Sequence, residues 1–257
     1  MRGLLRAEWI KLSRRWVFRV MSLILLVVTA MTAVIILVVP KVSPGAIEGL
    51  TELSRRDATV VGIQTVLGQT WFPLILAVVM LGSEVRSTAW ASALTRESRR
   101  GLHVAARLIT LTAAAWAAAL VAIVGWEIVA ATYTEGDRAF GISGWVGIVW
   151  KTAIVQVTWV ALGLGAIALL RSTGVAIGAV VAYSFLEGLL ALWKPYGEIA
   201  LSSASNSLVG QVVADVSGGF GVSGADPMAF AQAVTVVGAW AVLGGAIAWA
   251  GLALREA

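Results

Sequence analysis

The chain has no cysteine and a single histidine. Those absences remove disulfides, thiol chemistry and the usual clusters of transition-metal ligands, although a missing cysteine says nothing about compartment. Charge is also scarce. Charged residues fill 13% of the 257 positions and hydrophobic ones 59%, against about 25% and roughly 45–50% in soluble domains. So few charges could not cover that much apolar surface in water, which predicts an integral membrane protein. No G-x-x-x-x-G-K-[ST] loop occurs, so the chain has no phosphate loop of that kind. Neither an internal repeat nor a second domain with its own core is evident.

What is present is a series of long apolar runs. A spanning helix takes about 20 apolar residues, and such runs cover 16–39, 60–81, 104–132, 146–170, 175–193 and 229–254. The expected fold is one all-α transmembrane domain, 1–257, with six transmembrane helices. The first run exceeds the roughly 7–15 apolar residues of a signal peptide, and no convincing small-residue cleavage site follows it. It reads as an uncleaved helix. Lysine and arginine set the orientation. Arg2, Arg6, Lys11, Arg14, Arg15, Arg19, Arg86, Arg96, Arg99, Arg100, Arg107, Arg171 and Arg255, thirteen of the nineteen, fall on one side. The other six are Lys41, Arg55, Arg56, Arg138, Lys151 and Lys194. The chain is therefore expected to be a multi-pass protein of the cell membrane with both termini cytoplasmic, against the local dissent of Arg55–Arg56. The net charge of +5 then needs no nucleic-acid partner; the bilayer is the expected one. Trp126, Trp145, Trp150 and Trp193 read as anchors at the outer boundary.

Residues 1–16 are more than a charged leader. Leu5, Trp9, Leu12 and Trp16 recur at helical spacing while Arg2, Arg6, Lys11, Arg14 and Arg15 crowd the remaining surface. That is the pattern of an interfacial helix along the inner leaflet; the alternative is that the first span simply extends into the cytosol. Spans four and five are joined only by Arg171-Ser172-Thr173-Gly174, so they are expected to be antiparallel neighbours. The outer segment 194–228 is polar and rich in glycine and serine, with 199–216 able to form a short re-entrant or surface helix. Asp226-Pro227 reads as a cap and first-turn proline of the last span.

The cytoplasmic segment 84–101 is too polar to sit in lipid. Its Val85, Ala89, Ala93 and Leu94 could support a short surface helix offered to a cytosolic partner, and an ordinary positive-inside loop is the alternative. The order of these features resembles that of the ABC-2 type transporter permeases. The resemblance is carried by the N-terminal amphipathic segment Leu5-Arg6-Ala7-Glu8-Trp9-Ile10-Lys11-Leu12 and by the six runs. A Glu-x-Arg-x-x-Thr-like segment follows the second run, here Glu84, Arg86 and Thr88, with the threonine one place early. It continues through Leu94, Thr95, Ser98, Arg99 and Arg100, and Leu201-Ser202-Ser203-Ala204-Ser205-Asn206 precedes the last run. Ser87, Arg96-Glu97 and Arg107 depart from the common pattern. The resemblance implies an elbow helix at the N-terminus and a coupling helix at 84–101 that docks into a separate ATP-binding subunit. It implies that ATP and magnesium are held by that subunit, with no catalysis and no cofactor on this chain. It also implies that two such chains, as a homodimer or heterodimer, complete an export pathway.

Ionisable residues inside spans are costly unless paired or wetted. Glu127 and Lys151 fall at nearly the same depth when the chain is folded about residue 139, and an ion pair between them is expected. Glu187 lies deeper, with Gln156 nearer its level than Lys151; it lines a wet cavity or pathway, or is a protonated or hydrogen-bonded structural carboxyl. His103 sits at the start of a span with no nucleophile or metal ligand in view. Gly174/Gly178 and Ala241/Gly245 have the four-residue spacing of close helix approach. Gly219-Phe220-Gly221-Val222-Ser223-Gly224 matches a dinucleotide loop, but no acid follows at the required distance. Three function classes remain open: an exporter subunit, an intramembrane enzyme, and a proton-coupled secondary transporter or membrane assembly protein. The apolar spans suit an amphiphilic substrate such as a drug, lipid or antimicrobial peptide.

Overall fold

The computed structural model describes residues 2–42, 53–86, 100–137, 140–190, 193–210 and 228–253. About 90% of them are helical, and no strand occurs among the described residues. The elements are α1 (Arg2–Arg14), α2 (Trp16–Val42), α3 (Arg55–Gly68), α4 (Trp71–Arg86), α5 (Arg100–Tyr133), α6 (Ile142–Leu170), α7 (Thr173–Leu190), α8 (Lys194–Gly197), α9 (Leu201–Gly210) and α10 (Phe230–Ala253).

Local chemistry sets the breaks. Arg15 leaves the helical region with ψ of 119°, which separates α1 from α2. Pro40 cannot donate to the carbonyl four residues back, and its ring would press on that group. The helix relieves this with a π-helical turn over Val34–Val38, in which the Val39 N–H reaches the Val34 carbonyl. Pro73 acts the same way on the second run, breaking it at Gln69–Thr70 into α3 and α4. Ser54 caps α3 by accepting from the Asp57 N–H at 3.2 Å and donating to the Asp57 carboxylate at 2.7 Å. That cap starts the helix at Arg55, five residues before the apolar run that marks it in the sequence.

Five stretches are long and apolar enough to cross a membrane: Trp16–Val42, Arg55–Glu84, Gly101–Tyr133, Ile142–Leu170 and Phe230–Gly251. The expected fifth of six spans is instead a shorter apolar stretch, Thr173–Glu187. At 1.5 Å per residue it covers about 22 Å, against roughly 30 Å of hydrocarbon. Pro195 in the first turn of α8 forces a new start there rather than a continuation of α7. The α6–α7 link is tighter than expected, only Arg171 and Ser172, with Arg171 in the left-handed region at φ 57°.

α6 is the hub, packed against α4, α5, α7, α9 and α10. Its Ile148, Trp159, Leu164 and Ile167 are at most 1% exposed. α9 is interior rather than a surface helix: Ala200, Leu201, Ala204 and Leu208 are fully buried among α3, α6, α7 and α10. The α6–α10 crossing depends on backbone approach. A Cβ at Gly244 would lie 2.8 Å from the Ala161 carbonyl carbon and the Leu162 nitrogen, and one at Gly251 would lie 2.8 Å from the Ala168 Cβ. Gly174, Gly178 and Gly245 each have open space where a side chain would go, so none of them makes a close approach within this chain. The three-dimensional crossing point, set by the rotation of α10, selects Gly244 over its neighbour.

Gly244→Ala should therefore destabilise the protein by about 1–3 kcal/mol through overpacking against backbone, and Gly245→Ala should not. Chemical unfolding of the two variants in detergent micelles checks this, and equal stabilities would be inconsistent with the crossing.

Candidate functional site

The densest polar constellation lies where α1, the end of α4 and the start of α5 meet. Arg107, on the second turn of α5, is 5% exposed. Its guanidinium binds Glu84 at the end of α4 and reaches Glu8 of α1 at 3.7 Å. Glu84 also meets Arg15 at 3.3 Å and Lys11 at 3.9 Å, while Lys11 pairs with Glu8 at 2.9 Å. Arg15 donates in addition to the Met80 carbonyl at 3.0 Å and the Ser83 hydroxyl at 2.6 Å. The break at Arg15 turns this side chain toward α4 while α1 packs on α5. A void of about 20 Å³ remains between Glu8, Arg15, Glu84 and Arg107, the room of about one water.

The arrangement alters the expected face of α1. Leu12 is buried and Leu5 half-buried, with Glu8 beside them, while Trp9 and Trp16 are exposed. Trp16 belongs to α2, beyond the break, so Leu5, Trp9 and Leu12 alone of the four lie on α1. Of the segment 84–101, Glu84 is placed in the ion cluster, and Arg86 and Arg100 stand on the helices that bound it. Thr88, Leu94, Thr95, Arg96 and Arg99 lie outside the described residues, as do the glycines at 219–224 and the Asp226-Pro227 cap. His103 is buried near the start of α5.

A second cluster lies toward the other end of α5. Glu127 is held by Arg55, whose Nη2 donates at 2.8 Å and Nε at 3.3 Å, and by the Thr59 hydroxyl at 2.6 Å. The expected Glu127–Lys151 pair is thus incorrect. α3 packs along α5 and brings Arg55 to the carboxylate, a partner that depth alone did not select. Trp126, expected at the lipid boundary, is 2% exposed and donates to the Ala58 carbonyl at 2.7 Å. Trp150 and Trp193 are exposed as anchors would be, and Trp145 is half-buried.

Lys151 has no carboxylate within salt-bridge distance among the described residues. Its ammonium lies 5.8 Å from the Trp150 ring centroid and 5.3 Å from that of Phe230, favourable positions for a cation over aromatic rings. Gln156 is 4% exposed, and its Oε1 has no hydrogen-bond partner. Glu187, 2% exposed, accepts from the Ser202 N–H at 2.7 Å and from the Leu201 N–H. It thereby caps α9, satisfying the free amides of that helix's first turn. Outside the spans, burial first and then the nearby Glu187 carboxyl push the Tyr196 phenol above its ordinary range.

Sequence reasoning did not join Glu8, Arg15 and Arg107 to Glu84, or Arg55 and Thr59 to Glu127. A usable signal existed for the first set: an acid closing one apolar run and an arginine inside the next. The chain matches no family model, no curated protein and no solved structure.

Arg107→Ala should lower stability by about 1–3 kcal/mol, because Glu84 and Glu8 lose their buried counter-charge and keep only Arg15 and Lys11. Replacing the pair together, as Arg107→Met with Glu84→Gln, should recover part of that loss; no recovery would count against the pairing. A double-mutant cycle on Arg55 and Glu127 should show coupling of roughly 0.5–3 kcal/mol, and one on Lys151 and Glu127 should show none.

Proposed function

We propose that this chain is the membrane-spanning subunit of an ATP-driven exporter of the ABC-2 permease type. ATP and magnesium are bound and hydrolysed by a separate subunit, and a second permease chain completes the pathway. On this reading the substrate is an amphiphile, α1 is an elbow helix on the inner leaflet, and 84–101 is the coupling segment. Both termini face the cytoplasm of a cell-membrane protein with six membrane passes, of which α7 is the short one.

The observation that carries the reading is the ion cluster at the base of residues 87–99. A partner that pushes on a cytoplasmic segment moves the membrane helices only if the segment's two ends are anchored in them. Glu84 and Arg107 tie those ends together, and Glu8, Lys11 and Arg15 tie both to α1. Force applied there enters α4 and α5 and, through their packing, the hub helix α6. The exposed Trp9 and Trp16 with Arg2, Arg6 and Arg14 suit an interfacial α1.

Gentle affinity purification from the native membrane should recover a Walker-motif ATPase, and scrambling 87–99 should lose it. A stable complex containing no ATPase would sink the reading. Because the chain has no cysteine, single replacements report topology directly. Ser13→Cys should react with an impermeant maleimide only from the cytoplasmic side, and Asp137→Cys only from outside; the reverse pattern would invert the orientation.

A further inference from the structure

Beside the hub helix is an open cavity of about 280 Å³, near the low end of small-molecule pockets at roughly 300–1,000 Å³. Leu162, Gly165 and Ala166 of α6, Val180 and Tyr183 of α7, and Trp240 of α10 line it. Leu169 and Leu170 at its rim are exposed, so it opens sideways from the bundle. Nearly all of its wall is apolar, and it has room for roughly fourteen groups the size of a water, the bulk of a medium alkyl chain.

One end is different. The Tyr183 ring stands 6.3 Å from both Trp159 and Trp240. Trp240 is fixed by donating to the Ile199 carbonyl at 3.0 Å. Trp159 is 1% exposed and its indole N–H has no hydrogen-bond partner. One turn beyond Tyr183, about 6 Å along the axis, lies Glu187, buried next to the cavity's Tyr183 wall and not itself part of the lining. Backbone amides meet its carboxylate, and no basic side chain reaches it among the described residues. The carboxyl group is met by backbone dipoles alone, and in its ionised form such a group is expensive at membrane depth unless a cation comes beside it.

The geometry points to a binding site for a cationic amphiphile: an alkyl tail in the α6–α7–α10 cavity and an ammonium head beside Tyr183 and Glu187. Aromatic faces attract cations, and the carboxylate supplies the charge that distinguishes this ligand from a neutral lipid. The inference rests on the transport reading for its purpose and narrows the substrate to one charge type; the binding itself is a property of this chain alone.

The test uses the full chain in zwitterionic lipid nanodiscs, with no ATPase present, and follows tryptophan quenching by 11-bromoundecyl-trimethylammonium. The neutral probe of equal length is 11-bromoundecanol. The cation should quench with a saturable component, half-maximal at a concentration at least tenfold lower than the alcohol requires. Glu187→Gln should raise the cation's half-saturation about tenfold and leave the alcohol's unchanged. Ala179→Phe, at an exposed position of the cavity wall, should remove the saturable component for both probes. It also keeps the proposal falsifiable if the Glu187 variant does not fold. Equal half-saturation for the two probes, an equal effect of Glu187→Gln on both, saturable quenching that survives Ala179→Phe, or linear quenching from lipid partition alone would each overturn the site. An ATPase partner found without saturable binding would remove this inference and leave the exporter reading intact. Saturable binding with no ATPase partner would do the opposite.

Discussion

A charge taken out of water must be matched where it lies, and Arg107 is where this constraint is most severe. Its guanidinium is almost wholly enclosed, and the cost of removing it from water is several kcal/mol unless counter-charges and hydrogen bonds surround it. Glu84 and Glu8 supply those counter-charges. Each brings its own helix with it, so one arginine fixes α1, α4 and α5 relative to each other. Arg15 and Lys11 then balance the two carboxylates. The break in the chain at Arg15 is what permits α1 to lie against α5 instead of continuing α2.

Away from that cluster the bundle is held by shape. Apolar side chains gain nothing by leaving lipid for another apolar surface, so helices in a membrane associate through close packing and small residues. α6 and α10 follow that rule at Gly244 and Gly251, where no Cβ fits without displacement of the partner helix. The two clusters on α5, Arg107 near its start and Glu127 near its end, pin that helix at both ends to different neighbours. The cavity by α7 is lined chiefly by α6, α7 and α10, which carry none of the residues of these ionic clusters.

Much of the architecture is legible in the order of residues. The apolar runs locate the long helices, because a 3.6-residue helix is the simplest way to satisfy backbone hydrogen bonds in lipid. The proline positions foretell the breaks less directly: Pro40 stands at the end of one apolar run and Pro73 inside another, and one yields a π-turn and the other a clean interruption. Trp126 shows the limit of composition. A tryptophan near a span end is statistically a boundary residue, but the Ala58 carbonyl of a packed neighbour gives its indole N–H a partner in the interior. The same applies to Glu187, whose position in an apolar run marks it as costly, whereas its resolution by the first turn of α9 depends on a segment that reads as a polar outer loop.

The sequence by itself determined that this is a helical, lipid-suited chain without cysteine, and which side chains would be expensive to bury. Those are one-body properties, set by transfer free energies and backbone periodicity. The tertiary structure alone decided which groups share that expense. Arg55 and Glu127 stand 72 residues apart, and Arg15 and Glu84 stand 69 apart. Whether such residues meet depends on the rotation and depth of whole helices. Those are settled by the sum of many small packing contacts, which no local pattern records.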